Sequence, residues 1–154
     1  MIIAASLFSE KKPPLLIFGG GIFDVTRKHP KMQYQIEYRS SYDIYERDFL
    51  FIRPLIGMMG TEKGALYGYG GICFDIFLGK YLVFSPSFAP GLYYDGKGKR
   101  LGFPLQFRSS AELSLRFPNK MRLGAQFYHI SNGSVGWKNP GTESLVFILG
   151  IPIH

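Results

Sequence analysis

The sequence predicts an all-β fold, an eight-stranded antiparallel up-and-down β-barrel that makes one domain of residues 1–154. Three observations predict it. Eight segments alternate apolar and polar residues with a period of two, the spacing that sends successive side chains to opposite faces of a strand. Short stretches rich in Gly, Pro and Asn separate them, and no helical pattern of useful length intervenes. The composition, 16% aromatic and 19% charged with 19 glycines, suits a β chain with a wide apolar surface. Eight strands of about ten residues fit a small closed barrel whose interior is filled by side chains.

In chain order the strands are expected at 15–25, 33–43, 49–60, 65–78, 82–94, 103–117, 121–131 and 143–153. Residues 1–14 precede them as an N-terminal extension. There Ala4-Ala5-Ser6 fits the end of a leader peptide, although a basic start is missing. In the second strand Tyr34, Ile36, Tyr38 and Tyr42 alternate with Gln33, Gln35, Glu37, Arg39 and Ser41. The sixth strand carries the clearest pattern. Leu105, Phe107, Ser109, Ala111, Leu113, Leu115 and Phe117 share one face, and Gln106, Arg108, Ser110, Glu112, Ser114 and Arg116 share the other. That length exceeds the usual soluble strand of about 5–6 residues. It suits a tilted membrane strand, apolar outside and polar inside, and so a barrel of the outer-membrane type. The inward charges, Arg108, Glu112, Arg116, Glu37 and Arg39, must then pair in the lumen, because isolated buried charges are costly. Pro54, Pro86, Pro90 and Pro152 interrupt ladder bonding and are expected at edges or bulges.

The last two strands hold the candidate chemistry. Leu123, Ala125, Phe127, His129 and Ser131 share a face in the seventh, and Glu143, Leu145, Phe147, Leu149 and Ile151 share one in the eighth. Between them, Asn132–Thr142 holds Gly133, Gly136, Asn139-Pro140 and Gly141, which is turn chemistry. If the hairpin pairs Phe127 with Leu145, His129 faces Glu143 across the ladder, with Cβ atoms about 4.5–5.5 Å apart. A histidine, a hydroxyl and a carboxylate are the parts of an acyl-transfer triad. All three lie on the apolar face, where a substrate lying in a bilayer would meet them.

Charge supplies a second clue. The net charge of +7 points to an anionic partner, nucleic acid or an anionic lipid head group. With both termini on one side, the opposite loops are 26–32, 61–64, 95–102 and 132–142. They carry Arg27, Lys28, Lys31, Lys63, Lys97, Lys99, Arg100 and Lys138 against Glu62 and Asp95. The catalytic end is thus the basic end. On a membrane barrel that favours anionic lipid over nucleic acid. The longest apolar run is too short for a transmembrane helix. Cys73 is the one cysteine and reads as a small packed residue. Asp24, Asp75 and Asp95 lack metal-ligand spacing, His29 and His154 are given no role, and neither a metal nor a cofactor is expected. A homodimer stays open.

The pattern His-x-Ser-Asn, a short loop with a later Asn, and Glu143 twelve residues after the serine resembles the PagL-type lipid A 3-O-deacylases. The resemblance covers about fifteen residues and, beyond them, length and strand pattern. It implies an eight-stranded outer-membrane barrel that hydrolyses the 3-O-linked acyl ester of lipid A in lipopolysaccharide. His129 would be the base, Ser131 the nucleophile and Glu143 the orienting acid. Asn132 matches the family's Asn beside the nucleophile, associated with the oxyanion hole, and Asn139 matches a second loop Asn. The oxyanion would be held by backbone N–H groups of Asn132, Gly133 and Ser134. Lys97, Lys99, Arg100 and Lys138 would meet the substrate's phosphates. The competing expectation is a non-catalytic barrel, either a structural membrane barrel or a soluble carrier of an apolar ligand.

Overall fold

The computed structural model describes residues 12–27 and 30–153. Lys28, His29, His154 and residues 1–11 of the expected N-terminal extension lie outside them. The elements are β1 (Leu15–Phe23), β2 (Lys31–Arg39), β3 (Tyr45–Arg47), β4 (Leu50–Thr61), β5 (Leu66–Leu78), β6 (Leu82–Phe84), β7 (Ser87–Tyr94), β8 (Leu105–Arg116), β9 (Arg122–Ser131) and β10 (Thr142–Pro152). All pairings are antiparallel: β2 and β3 both pair with β4, β6 and β7 both pair with β5 and β8, and the other sequence neighbours pair with each other. β10 returns to β1, from Leu15↔Pro152 to Phe23↔Ser144, and closes the sheet into an eight-stranded barrel.

Two of the expected strands are interrupted. The second ends at Arg39, and pairing with β4 resumes in β3 with a shifted register because residues 40–44 loop out. Pro54 lies opposite this excursion, where Ser40 N–H donates to its carbonyl (3.0 Å) and no ladder donor is needed from its own nitrogen. The fifth breaks at Ser85-Pro86. Ile76↔Phe84 and Cys73↔Ser87 belong to one register, so the gap reflects the proline's missing N–H and side-chain parity is preserved across it. Pro90 in β7 lies beside Gly70-Gly71, where the β5–β7 pairing lapses. These prolines therefore sit at local gaps in the ladder of a closed barrel.

The parity is the one the alternation predicts. Leu113, Leu115, Phe127 and Phe147 are exposed on the outer face, as are Tyr34, Ile36 and Tyr38. Arg108, Glu112, Gln126, Gln33, Gln35, Glu37 and Arg39 are buried inside. Arg116, nearer the rim, is half-buried with its guanidinium over the Phe77 ring (5.4 Å).

The lumen is filled in layers. Toward the end that carries loops 95–104 and 132–141, Phe23, Met59, Tyr93, Leu101 and Ile130 pack together. Below them the Arg108 guanidinium lies over the rings of Tyr69 (4.6 Å) and Tyr128 (4.2 Å) and donates to Gln126 (2.6 Å). Next comes an ionic layer. Arg39 donates to Glu37 (3.1 Å) and to both oxygens of Glu112 (3.1 and 2.5 Å). Asp75 accepts both Nη groups of Arg122 (3.1 and 2.9 Å), Nη2 of Arg53 (2.5 Å) and the hydroxyl of Ser85 (2.7 Å). Phe51, Phe77 and Val83 seal the opposite end, with the Lys12 ammonium over both rings. Opposite charges meet with several hydrogen bonds each, which is what makes charges tolerable away from water.

Candidate active site

The β9–β10 hairpin has the register Phe127↔Leu145 and Glu143↔His129. Cross-strand partners share a face, so the imidazole and the carboxylate meet on the outside of the barrel. His129 Nδ1 lies 3.0 Å from Glu143 Oε1, with the side chains 44% and 31% exposed. The pair is therefore reachable from outside yet already formed. Glu143 has a second partner, since the Thr26 hydroxyl donates to Oε2 (2.9 Å). The Glu143 carbonyl also accepts Val25 N–H (2.9 Å), so the β1–β2 loop holds this residue at main chain and side chain.

Ser131 ends β9, two residues beyond His129 and on the same face, opposite Phe107 of β8. It is half-buried, and among the described residues its hydroxyl and His129 form no hydrogen bond. With Nδ1 committed to Glu143, the other edge of the imidazole leans over Gly141. A Cβ there would come within 2.9 Å of Cε1 and 3.4 Å of Nε2. Gly141 also has φ +64°, so both the close approach and the backbone require glycine. It precedes the Thr142↔Ile130 pair and thus faces the Ser131 end of β9, the side on which Nε2 lies.

The loop after Ser131 is braced from within. The Asn132 amide is buried and donates to the carbonyls of Lys138 (2.5 Å) and Leu101 (3.2 Å). Its Oδ1 accepts Ser134 N–H (2.9 Å), a local turn that Asn forms readily. Its own N–H donates to Asn139 Oδ1 (2.9 Å). Of the three backbone donors expected here, those of Asn132 and Ser134 are thus occupied. Among the described residues, Gly133 N–H has no partner, and the residue is exposed with φ +61°.

The expected cations divide into two kinds. Lys99 is turned inward, its ammonium bonded to Asp24 Oδ1 (2.8 Å) and to the Gly141 carbonyl (2.7 Å). Asp24 Oδ1 also accepts the Thr142 hydroxyl (3.1 Å). Lys97, Arg100 and Lys138 are exposed. Arg100 and Lys138 line a cleft of about 640 Å³ with Gly102, Asn139 and Pro140, between the 95–104 and 132–141 loops. Among the described residues no group of three His, Cys, Asp or Glu could hold a metal ion.

Thr26, Asp24 and Gly141 escape the sequence reading. A hydroxyl 117 residues from its carboxylate partner leaves no local pattern, and a glycine in a turn-rich loop reads as turn chemistry alone.

A family model described as lipid A 3-O-deacylase (PagL) matches residues 33–152. No curated protein matches the sequence significantly. Among solved structures, the crystal structure of the outer membrane enzyme PagL is similar with a TM-score of 0.75 at 19% identity, covering 90% of this chain and 99% of that one. Neisserial surface protein A (NspA) gives a TM-score of 0.56 at 12% identity over 91% of this chain and 96% of that one. The outer membrane protein Ail of Yersinia pestis gives 0.52 at 10% identity over 91% of this chain and all of that one. At these identities the structural likeness shows the shared barrel.

Proposed function

We infer from a firm premise, that the chain belongs to the lipid A 3-O-deacylase (PagL) family, that Ser131, His129 and Glu143 carry out its chemistry as a triad. Membership makes the protein an ester hydrolase of the outer membrane that acts on a lipid A acyl ester. The observation that carries the residue assignment is the 3.0 Å contact between Glu143 Oε1 and His129 Nδ1 on the outer face, at the strand end that Ser131 terminates.

Glu143 holds the proton on Nδ1, which leaves Nε2 with its lone pair. That tautomer is the one a general base needs. As substrate enters, His129 Nε2 takes the Ser131 hydroxyl proton and Oγ attacks the 3-O-linked ester carbonyl. The tetrahedral oxyanion is met by Gly133 N–H, the uncommitted donor of the loop. Collapse expels the sugar 3-oxygen, which takes the proton from the imidazolium, and an acyl-serine remains. Water, deprotonated by His129, then cleaves the acyl-serine and returns the proton to Ser131 while the fatty acid leaves. The loose Ser131–His129 geometry fits a substrate-free site, where such bonds commonly tighten on binding.

Asn132 and Asn139 act by holding the loop that presents Gly133, and Ser134 by the turn it forms with Asn132. Lys99 braces the site through Asp24 and Gly141. Arg100 and Lys138 receive a lipid A phosphate in their cleft, with Lys97 at its margin. The apolar outer face embeds in the bilayer, so the acyl chain lies along Phe127, Leu145 and Phe147 below the triad. A homodimer remains compatible with this arrangement and is not required by it. Mass spectrometry of lipid A incubated with the folded wild-type protein should show loss of one 3-O-linked acyl chain. Ser131→Ala should show none, and deacylation by that folded variant would reject the assignment.

A further inference from the structure

Trp137 is fully exposed, at 101% of the reference area, on the loop that follows the catalytic serine. Val135 (58%) on the same loop and Phe103 (39%) on the 95–104 loop are also exposed apolar groups. An indole surrounded by water on all sides is unfavourable, and a floppy loop would fold it away. This loop is not floppy. The Asn132 amide ties Leu101 to Lys138, so both loops are pinned together on either side of Trp137. Gly136 lies so close to Phe103 that a Cβ would fall 2.7 Å from the Phe103 Cβ. The loop is a braced projection with an indole at its tip.

The projection continues the apolar exterior of the barrel. A Cβ on Gly133 would lie 3.6 Å from the Phe107 ring, and Phe107 stacks on Phe88 (6.1 Å) on the outer face. Two exposed cations, Arg100 and Lys138, sit at the same place. An aromatic with an apolar body and a polar N–H, next to Lys and Arg, matches the chemistry of the boundary between head groups and acyl chains.

We propose that the loop bearing Trp137 is a membrane-seating element, in which the indole inserts at the head-group boundary of the outer leaflet and sets the depth at which Ser131 meets the ester. Val135 and Phe103 enter beside it, and Lys138 and Arg100 face the lipid phosphates. The proposal rests on the membrane placement of the barrel and, for the depth it sets, on the assignment of Ser131 as the nucleophile; insertion of the indole is tested apart from that assignment.

Trp137 is the sole tryptophan of the chain, so its fluorescence reports this loop alone. The test uses the uncleaving Ser131→Ala variant, refolded into phosphatidylcholine vesicles with and without lipopolysaccharide and recovered by flotation. The emission should move to shorter wavelength relative to the urea-unfolded chain. Brominated lipids should quench it, and iodide should quench it less than in the unfolded chain. Emission and iodide quenching equal to those of the unfolded chain in floated vesicles would overturn the proposal. Failure of the folded barrel to float would overturn the membrane placement and the proposal with it. With the active protein, Trp137→Ser should raise KM severalfold for lipid A in vesicles and leave detergent-dispersed lipid A unaffected. An equal loss in both would show a role in loop folding and count against seating.

Discussion

The lumen and the outer rim of this barrel handle polar groups in opposite ways. Inside, Asp75 is fully buried and satisfied by Arg53, Arg122 and Ser85, and Glu112 by Arg39 and Gln126. Outside, His129 and Glu143 are part-exposed, the Ser131 hydroxyl has no partner in His129, and Gly133 N–H is uncommitted. Inside, each of these carboxylates is held by several donors, although the Nε atoms of Arg53, Arg108 and Arg122 have no partner among the described residues. Carboxylates held this way fix the fold, whereas a free backbone donor and a nucleophile without a fixed partner at the exposed rim leave capacity for a reacting substrate. The comparison explains why residues of the same type have different jobs. Arg39 and Arg122 are interior struts, Lys99 is a brace, and Arg100 and Lys138 face an open cleft.

The contrast is broken most severely from the inside. Asp75→Asn removes the charge that compensates Arg53 and Arg122 and should destabilise the barrel by about 3–5 kcal/mol, the usual result of stripping one partner from a buried pair. Urea unfolding of the refolded barrel would show it. An unchanged midpoint would mean that water or neighbouring carboxylates replace Asp75. At the rim, Gly141→Ala places a methyl against the imidazole at a φ of +64°. Displacing the base by a fraction of an ångström should lower kcat by about a hundredfold, with KM little changed. Wild-type turnover would show that the ring has room to move away. Arg100→Ala with Lys138→Ala should raise KM for lipid A about tenfold at low salt and leave kcat in place, as loss of uniform binding does. Lys97→Ala alone should do much less, and equal effects would make the cleft irrelevant. The smallest effect is expected from Thr26→Val. It removes one hydrogen bond to a carboxylate that water also reaches, so kcat should fall by roughly fivefold, about 1 kcal/mol. No change in kcat would leave Thr26 without a positioning role.

The sequence made the barrel and its parity legible because a strand alternates faces residue by residue. β2 and β8 carry that alternation without interruption, and the hairpin pairing of Phe127 with Leu145 places Glu143 against His129. What it hid depends on distance along the chain. Asp75 has no metal-ligand spacing and gives no local sign of the arginines that surround it, which come from β4 and β9. Thr26 and Lys99 reach the active site from loops that composition marks only as turn-rich and basic. Pro86 reads as a possible edge residue, but it marks a gap inside a strand whose register continues on both sides. The buried amide of Asn132 could be matched to a family position from the sequence, yet its contacts with Leu101 and Lys138 emerge only when the loops are folded together.

The most direct test of this division between interior and rim is made on Ser131→Ala, with acyl release from lipid A and the urea midpoint measured on the same refolded preparation. No acyl release together with a wild-type midpoint is expected, because a half-buried hydroxyl at a strand end contributes little to packing. Acyl release by the folded variant would contradict the triad. Lost release accompanied by a collapsed midpoint would contradict the separation of the chemistry from the network that holds the barrel.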